Sequence, residues 1–361
     1  MDTPKQPSNW LFYVFYLYIS SFSFFNPKQE NRLDITEIYL TIFFISLLLF
    51  LLGSGIWVAL SMIAVSAIGM LLFTTRPVGD AMATTIWGTS SSWTLTALPL
   101  FVWMGEILFR TKLSENLFKG LSPWLSKLPG GLVHVNVVGC ALFAAISGSS
   151  AATVATVGKM SIPELRKRKY PEKLLLGSLA GSGTLGLLIP PSIILIIYGV
   201  TIEDSIAKLF MAGILPGIML AVMFMLYVIF WSILNKELMP KSNKNFSFAE
   251  KVWGSKQLLP VIFLITAVIG SIYTGIATAT EAASLGVVGA LMLSFFQGTL
   301  NKKTFSLSLL GATKTSCMIA FIIAGSTFLS LAMGFTGLPR NLAIWINSMD
   351  LSPYTLLFVL T

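Results

Sequence analysis

Charged residues are scarce in this sequence. Aspartate, glutamate, lysine and arginine make up 11% of its 361 residues, whereas hydrophobic residues make up 55%. A soluble globular domain carries about a quarter charged residues, so this composition excludes an ordinary water-soluble fold. Because each spanning helix needs roughly 20 residues, the chain has room for about eight to ten membrane crossings. We therefore expect an all-α polytopic membrane protein.

Cysteine and histidine are almost absent. The two cysteines, Cys140 and Cys317, lie in apolar runs without CxxC or Cys/His spacing, and the sequence has one histidine. This pattern indicates neither a disulfide framework nor a metal site, and both cysteines are predicted to be small buried residues. The sequence also lacks HExxH and GxSxG motifs and has scarcely any acid or base within its apolar runs. We expect no enzyme activity and no cofactor.

The net charge of +9 comes from basic residues in short clusters between apolar runs. Such clusters indicate orientation in a membrane rather than a nucleic-acid partner, because cytoplasmic loops carry the excess of lysine and arginine. We place loop 110–131 in the cytoplasm and let each apolar tract cross once, the two longest twice and 132–157 not at all. In this topology 19 of the 24 basic residues fall on the inner side. The sequence thus predicts a cytoplasmic N-terminus.

Eight apolar tracts organise the chain. Two of them, 35–73 and 258–296, are too long for one helix, and turns around Gly55 and Gly275 divide each into two crossings. The remaining tracts are 95–109, 132–157, 174–200, 206–234, 316–334 and 342–361.

The tract 132–157 is the most informative of the eight. One crossing would move the six basic residues that follow it to the outer side, against the trend of the whole chain. Two crossings would need about 40 residues, and the tract has 26. A re-entrant hairpin satisfies both constraints. Its middle, 147–153, reads SGSSAAT, a turn of small residues with exposed backbone, which membranes tolerate only where it is buried in protein or lines a cavity.

The tract 174–200 is predicted to be a broken helix. GSGTLG at 181–186 precedes Pro190 and Pro191. The two prolines remove two helix N–H donors and disfavour helix before them. Secondary transporters expose backbone to solute and ion through broken helices of this kind.

A weak internal repeat is also present. RTKLSENL at 110–117 aligns with FTGLPRNL at 335–342, and Gly55 aligns with Gly275 at a similar offset. In the predicted topology the first octapeptide is cytoplasmic and the second periplasmic, as an inverted repeat requires. By this offset the tip of a second hairpin would fall about ten residues beyond 361, so we expect an inverted-repeat ion-transporter fold whose second repeat is incomplete.

These motifs resemble the large membrane subunit of the TRAP (tripartite ATP-independent periplasmic) transporters. The resemblance covers about 35–361 and is carried by LFAAISGSSAATVATVGKMSIPELRKRKYPEK, GSGTLGLLIPPSIILIIYG, LFMAGILPG and GIATATEAASLG, in that order. It implies two protein partners, a small membrane subunit and a periplasmic solute-binding protein. It also implies sodium-coupled uptake of small organic acids across the bacterial inner membrane by an elevator-type movement. The family's second hairpin and second broken helix would lie beyond the sequence given.

Five regions follow from these patterns. They are an N-terminal anchor helix in 1–34, scaffold helices of the first repeat in 35–131, a transport-type region in 132–234, a cytoplasmic loop in 235–257 and an incomplete second repeat in 258–361.

The candidate site lies at the hairpin tip and in the broken helix. Hydroxyl and carbonyl oxygens there would suit sodium, whereas the alternative is a small-residue turn and a kink that only serve packing. The predicted ion ligands are Ser147, Gly148, Ser149, Ser150, Gly181, Ser182, Thr184 and Gly186. The predicted substrate contacts are Ser149, Pro190, Pro191 and Ser192. A half-helix beginning after Ser192 would point its positive end at a carboxylate.

Other ionisable residues in apolar tracts have simpler interpretations. Glu106 and Arg110 are spaced as an i,i+4 ion pair, Glu281 is expected to cap or pair near a helix end, and His134 is expected at the interface. The function indicated is a membrane subunit of a sodium-coupled, binding-protein-dependent importer of small organic acids. The alternative is a truncated, non-transporting remnant or a purely supporting membrane subunit.

Overall fold

The computed structural model describes residues 35–111, 113–240, 247–256, 258–349 and 352–360. The anchor helix expected within 1–34 lies outside these residues. Within the described part every regular element is a helix. Long apolar runs take this form in lipid because a helix satisfies its own backbone hydrogen bonds. The expectation of an all-helical fold with several apolar helices is confirmed.

Sixteen helices follow one another along the described residues. The first eight are α1 (Ile35–Gly53), α2 (Val58–Phe73), α3 (Val78–Ser90), α4 (Ala97–Phe109), α5 (Leu113–Leu125), α6 (His134–Ser147), α7 (Ser150–Lys167) and α8 (Glu172–Gly183). The second eight are α9 (Ile193–Thr201), α10 (Ile206–Leu234), α11 (Phe248–Ser255), α12 (Leu259–Tyr273), α13 (Ala279–Phe296), α14 (Lys302–Phe335), α15 (Leu338–Ser348) and α16 (Pro353–Leu360).

Three of the described helices, α10, α13 and α14, are long and apolar enough to cross a membrane. Two bent pairs add one span each when they are counted together, α3 with Trp93–Phe109 at 53° and α11 with α12 at 54°. Length and composition thus give up to five spans, fewer than the crossings expected from the sequence. The difference arises because several apolar tracts form short helices. The 16 residues of α2 extend about 24 Å, less than a hydrocarbon core of about 30 Å.

The two long apolar tracts are divided at glycine. Gly55 lies between α1 and α2 with φ of 79°, and Gly275 lies between α12 and α13 with φ of 72°. A residue with a Cβ adopts such positive φ angles only at a cost, so each glycine permits the chain to reverse between two apolar helices.

Several segments without a continuous apolar run are nevertheless helical. α5 and α11 occupy regions that we interpreted as loops, α3 lies between two predicted tracts, and α14 begins at Lys302, well before the predicted start at 316. Hydropathy finds helices that are apolar all round, whereas these helices are apolar on one side or carry polar termini. Local capping still marks α11, because the Ser247 N–H donates to the Glu250 carboxylate at 2.8 Å.

The chain forms two compact units. The first contains 35–78 and 329–360, and the second contains 79–328. In the first unit α1 packs against α2, with the ring centroids of Phe43 and Phe73 5.3 Å apart. The second unit contains α6–α10 and a core of buried apolar side chains.

The glycines of the LFMAGILPG motif bring α10 against the broken helix. A Cβ on Gly213 would lie 2.6 Å from the Leu188 carbonyl oxygen, and one on Gly217 would lie 2.9 Å from Cγ1 of Ile189. Small residues one helical turn apart let two backbones approach closely. The interrupted segment between α8 and α9 can therefore lie directly on α10.

The two cysteines differ in exposure. Cys140 is buried on α6, whereas Cys317 is exposed on α14. The prediction that both are buried is therefore wrong for Cys317. An apolar run predicts removal from water, which contact with lipid provides as well as contact with protein does.

Candidate functional site

Residues 134–167 form two antiparallel helices joined by a tight turn. α6 ends at Ser147, α7 begins at Ser150, and Gly148 and Ser149 connect them. Gly148 has φ of 58°, a left-handed conformation that favours glycine. The turn thus lies within the small-residue SGSSAAT sequence.

The two ends of this hairpin are tied together at its base. The Leu132 N–H donates to the Tyr170 hydroxyl oxygen at 3.1 Å. A Cβ on Gly131 would lie 2.5 Å from the same oxygen, so glycine is required beside this bond. Burial raises the pKa of the Tyr170 phenol, and the hydrogen bond from Leu132 opposes that effect. The chain therefore enters and leaves the hairpin at the same end, held by a neutral phenol.

The tip is a compact cluster of hydroxyl groups. The Ser147 Oγ lies 3.0 Å from Oγ1 of Thr153 and accepts from the Ser149 N–H at 3.3 Å. The Thr153 hydroxyl donates to the Ser149 carbonyl at 2.8 Å. The Ser149 side chain accepts from the Ala152 N–H at 3.4 Å and so caps α7. The Ser150 Oγ is buried and has no hydrogen-bond partner within the described residues.

The broken helix is interrupted over nine residues, 184–192. α8 ends at Gly183, and a single 3₁₀ turn follows at Thr184–Leu187. The Pro190–Pro191 peptide is cis, and α9 begins at Ile193. The interruption therefore begins later than the GSGTLG motif suggested, because its first three residues remain helical.

The tip and the interruption touch through their backbones. The Ile193 N–H donates to the Gly148 carbonyl at 3.2 Å. A Cβ on Gly148 would lie 2.6 Å from the Pro191 carbonyl oxygen, and one on Gly186 would lie 2.9 Å from the Ser150 nitrogen. This contact therefore requires glycine at positions 148 and 186.

Three predicted ion ligands have partners in their own segment or on α10. A Cβ on Gly181 would lie 3.2 Å from the Phe224 ring of α10. Ser182 is buried and donates to the Ser178 carbonyl. Thr184 is exposed, and its hydroxyl donates to the Gly181 carbonyl at 2.7 Å. In this conformation Gly186 lies directly against the tip, whereas the hydroxyls of Ser182 and Thr184 donate within their own segment.

The predicted substrate contacts are mostly enclosed. Pro190, Pro191 and Ser192 are buried, whereas Ser149 is half-buried. The Ser192 hydroxyl donates to the Leu187 carbonyl at 2.7 Å and makes no side-chain cap on α9. A solute could reach Ser149 in this conformation, while the other three would need the tip to separate from the interruption.

Two polar residues beside the site were not among the site residues predicted from the sequence. Thr153 ends the predicted turn and is fully buried in the hydroxyl cluster. Asn136 is fully buried on α6, where its Nδ2 donates to Ser178 Oγ at 3.0 Å. Its Oδ1 has no partner within the described residues. An amide in an apolar tract is costly, which is the signal that could have identified Asn136.

The tip offers neutral oxygen atoms only. Residues 147–150 include no ionisable side chain, and no group of three or more His, Cys, Asp or Glu gathers within the described residues. Calcium and magnesium sites are usually built with carboxylates. Unwound backbone carbonyls coordinate sodium in secondary transporters. The donor set therefore suits a monovalent hard cation.

The ionisable residues named from the sequence have structural partners. Glu106 accepts from Arg110 at 3.1 Å, which confirms the predicted i,i+4 pair. Glu281 forms a capping box with Thr278 at the start of α13. His134 is fully buried within the protein and donates to the Pro129 carbonyl at 2.7 Å, and its expected level at the membrane interface stays a prediction. Packing of the α5–α10 region encloses this first residue of α6.

A polar cavity of about 450 Å³ lies elsewhere in the second unit. It is lined by the end of α3, the turn after α9 and the middle of α14, including Thr89, Thr201, Glu203, Asp204 and Thr327. None of the predicted site residues lines it. The cavity is therefore a feature separate from the hairpin tip.

A family model matches most of the chain. Residues 44–361 match the model described as tripartite ATP-independent periplasmic transporter, DctM component. The match includes the hairpin, the broken helix and α10. It therefore covers every element from which the candidate site is built.

Curated relatives are similar over a comparable length. The chain is 33% identical over 294 residues to the C4-dicarboxylate TRAP transporter large permease protein DctM of Pseudomonas aeruginosa, covering 81% of this chain and 68% of the relative. It is 31% identical over 315 residues to the sialic acid TRAP transporter large permease protein SiaM of Vibrio cholerae, covering 86% and 72%. It is 30% identical over 324 residues to the ectoine/5-hydroxyectoine TRAP transporter large permease protein UehC of Ruegeria pomeroyi, covering 89% and 74%. These relatives are named for different solutes at nearly equal identity, so similarity indicates the permease component and does not select one solute.

Proposed function

This chain belongs to the family of tripartite ATP-independent periplasmic transporters as a DctM component, and on that premise we propose that it takes part in sodium-coupled uptake of small organic acids. It is a multi-pass membrane protein and a transporter component, not an enzyme. In the proposed system it works in the bacterial inner membrane with a small membrane subunit and a periplasmic solute-binding protein. The substrate class is proposed from the C4-dicarboxylate and sialic acid relatives.

The contact between the hairpin tip and the interrupted helix carries the proposal. The Ile193 N–H donates to the Gly148 carbonyl at 3.2 Å, where the hairpin turn meets the start of α9. A carbonyl oxygen has two lone pairs, so Gly148 can accept this bond and still coordinate a cation. Secondary transporters build ion sites from such unwound backbone.

The proposed sodium ligands are those predicted from the sequence. Ser147, Gly148, Ser149, Ser150 and Gly186 already lie together at the tip. Gly181, Ser182 and Thr184 would join them only after the 3₁₀ turn reorients. Ser149 would contact the substrate first, and Pro190, Pro191 and Ser192 would follow when the tip separates from the interruption.

Close packing among α6, α7 and α8 supports an elevator-type movement of this region as one body. A Cβ on Gly158 of α7 would lie 2.8 Å from Cδ2 of Leu179 on α8. Asn136 of α6 is hydrogen-bonded to Ser178 of α8 at 3.0 Å. Interiors packed at this density move as rigid bodies more readily than they deform.

Uptake into vesicles tests the proposal. The chain is reconstituted with its small subunit, and the binding protein and a panel of radiolabelled organic acids are added outside with an inward sodium gradient. We expect uptake of at least one acid that requires both the gradient and the binding protein. No uptake of any acid by a correctly inserted complex would overturn the proposal.

A matched pair of variants tests the site itself. Ser149→Trp places a large side chain at the tip and is expected to abolish sodium-dependent uptake while insertion persists. Ser54→Trp, at an exposed position between α1 and α2, should leave uptake unchanged. Unchanged uptake in Ser149→Trp would remove the hairpin tip from the mechanism.

A further inference from the structure

Helices α5 and α11 pack together through one tryptophan, and we refer to them as the α5–α11 pair. The Trp124 Nε1–H donates to Ser255 Oγ at 2.8 Å. The Phe248 ring stands edge-on to Trp124, with centroids 6.4 Å apart, and the Lys251 ammonium lies 5.4 Å from the centroid of the same indole. Three side chains of α11 thus hold one side chain of α5.

Small residues bring the two backbones close. A Cβ on Gly120 would lie 2.7 Å from Cγ of Leu258, and one on Gly254 would lie 3.6 Å from the Lys119 carbonyl oxygen. These contacts bring the C-terminal end of α11 and the segment that follows it close to α5. The two short helices therefore pack against each other as a pair.

One face of α11 is apolar and exposed. Phe248 is 73% exposed, Trp253 is 69% exposed and Val252 is 44% exposed. With 3.6 residues per turn, Phe248, Lys251 and Ser255 recur on the side that contacts α5, and Phe248 and Lys251 remain partly exposed at its edge. Val252 and Trp253 lie on the remaining face with Lys256, the residue that follows α11, and the exposed Glu250 borders Trp253 on that face.

The position of the pair in the chain places it beside the ends of apolar helices. α5 follows the apolar helix α4 within four residues, and α11 precedes the apolar helix α12 by the same interval. α11 is bent by 54° from the direction of α12. Instead of extending the span of α12, an amphipathic helix bent away in this manner is suited to lie in the plane of the membrane surface. Tryptophan is enriched at that level, and lysine marks its cytoplasmic side.

We propose that the exposed face of the α5–α11 pair is a binding surface for anionic phospholipids of the inner leaflet. Phe248, Val252 and Trp253 insert between headgroups, and Lys251 and Lys256 contact the phosphates. Charge complementarity favours this occupant over a neutral protein surface, because residues 247–256 carry two lysines against one glutamate, and the carboxylate of that glutamate, Glu250, accepts the Ser247 N–H. The surface lies outside the hairpin and the interrupted helix, so the inference stands independently of sodium coupling.

The depth of a label on this face tests the inference. The label is an environment-sensitive fluorophore on Trp253→Cys, in a chain that also carries Cys140→Ala and Cys317→Ser, reconstituted in vesicles with brominated acyl chains. We expect strong quenching by the brominated lipid, greater in phosphatidylglycerol than in phosphatidylcholine. A matched label on Glu237→Cys, at an exposed position in the turn after α10, should show little quenching.

Charge variants separate anionic lipid from other occupants. The double variant Lys251→Gln, Lys256→Gln should reduce the difference in quenching between phosphatidylglycerol and phosphatidylcholine. We expect a reduction of several fold per lysine, because each lysine near an anionic surface strengthens binding about fivefold. Lys208→Gln, on the predicted outer side, should leave it unchanged. A Trp253→Cys label that is quenched by aqueous iodide and not by brominated lipid would overturn the inference. Protection that appears only when the small subunit is added would also overturn it and assign the face to that protein.

Discussion

At the scale of single residues, the missing Cβ of Gly148 allows the hairpin tip to lie against the interrupted helix. Its φ of 58° disfavours any other residue, and its Cβ position is 2.6 Å from the Pro191 carbonyl oxygen. A backbone carbonyl cannot move aside as a flexible side chain can. Local conformation and tertiary contact therefore both select glycine at this position.

Gly148→Ala is expected to lower the free energy of unfolding by about 2 kcal/mol or more, since a positive φ and an overpacked contact add. Thermal unfolding in detergent measures this change. Gly177→Ala is the control, because Gly177 is an exposed residue of α8 with nothing within 4 Å of its Cβ position. It should be neutral or stabilising by up to about 1 kcal/mol. Equal melting temperatures for the two variants would contradict this account.

Tyr170→Phe removes the acceptor of the Leu132 N–H and is expected to cost about 1 kcal/mol at neutral pH. Burial raises the pKa of Tyr170, so its contribution is fully present below the ordinary tyrosine pKa and is lost as pH rises through the raised value. The difference in unfolding temperature between wild type and variant should be constant from pH 7 to about 9 and should become smaller at more alkaline pH. Unfolding temperatures measured across this range test the prediction, and a gap that widens with alkalinity would refute it.

The residue types in the sequence located the candidate site, but the sequence did not reveal which side chains contact one another there. The hydroxyls and glycines at 147–150 stand out in an apolar tract, so the tip could be located from the sequence. The local hydrogen bond of the Thr184 hydroxyl to the Gly181 carbonyl could not be predicted, because it depends on a 3₁₀ turn that begins after Gly183. Asn136 was visible as a lone amide but required the neighbouring α8 to show its partner.

At the scale of secondary-structure elements, the hairpin is defined by the closure of its base. The Leu132 N–H and the Tyr170 hydroxyl are 3.1 Å apart, although 38 residues separate them. α6 alone has 14 residues, about 21 Å of helix, which is short for a crossing. These dimensions favour a hairpin that returns to the face it came from.

Cysteines introduced at Lys127 and Lys169 should therefore react from the same side of the membrane. The test uses a membrane-impermeant thiol reagent on right-side-out and inside-out vesicles, in a chain with Cys317→Ser. Both positions are exposed, and Glu203→Cys in the turn after α9 serves as the predicted outer-side control. Reaction of Lys127→Cys and Lys169→Cys from opposite sides would exclude the hairpin topology.

Gly213→Ala tests how α10 supports the interruption. Its Cβ would lie 2.6 Å from the Leu188 carbonyl oxygen, a backbone atom, so the interrupted segment must shift. We expect a loss of about 1 to 3 kcal/mol in stability, together with reduced uptake in vesicles. Gly270→Ala in α12 has open space at its Cβ position and should change neither measurement.

The points at which the two long apolar tracts divide could be located from their glycines. The amphipathic helices could not be found from hydropathy. Gly55 and Gly275 each combine a break in the apolar run with a backbone angle that needs glycine. α5 and α11 carry too many polar residues to register as apolar tracts. Their helical form depends on packing around Trp124, a contact between segments more than 120 residues apart.

At the scale of the whole molecule, the predicted site has no charge of its own, so a bound cation would be held by neutral oxygens. Any ligand that binds only the folded state stabilises it by mass action, by about 1.4 kcal/mol at ten times its dissociation constant. Sodium chloride should therefore raise the unfolding temperature relative to choline chloride at equal ionic strength. The shift should vanish in Ser149→Trp and persist in Ser54→Trp. An equal shift in all three proteins would show a general salt effect instead of a site at the tip.

The inverted repeat remains a prediction at this scale. The two aligned octapeptides occupy similar local positions, one between α4 and α5 and the other between α14 and α15. In the first case the preceding segment is bent by 53° between α3 and Trp93–Phe109, whereas α14 is continuous over 34 residues. Sequence offset alone could not reveal this difference, because it depends on the 3₁₀ turn that begins at Trp93.

The long separation between the two residues that close the hairpin also determines when it can be completed during synthesis. Leu132 leaves the ribosome 38 residues before Tyr170 does, and the Gly148 carbonyl receives its partner only when Ile193 has been made. Until then the tip backbone would be unpaired in hydrocarbon, which lipid does not tolerate. If the hairpin is re-entrant from the cytoplasmic side, as the sequence predicts, we expect it to wait at the translocon or the cytoplasmic surface and to enter the bilayer together with the helices that follow it.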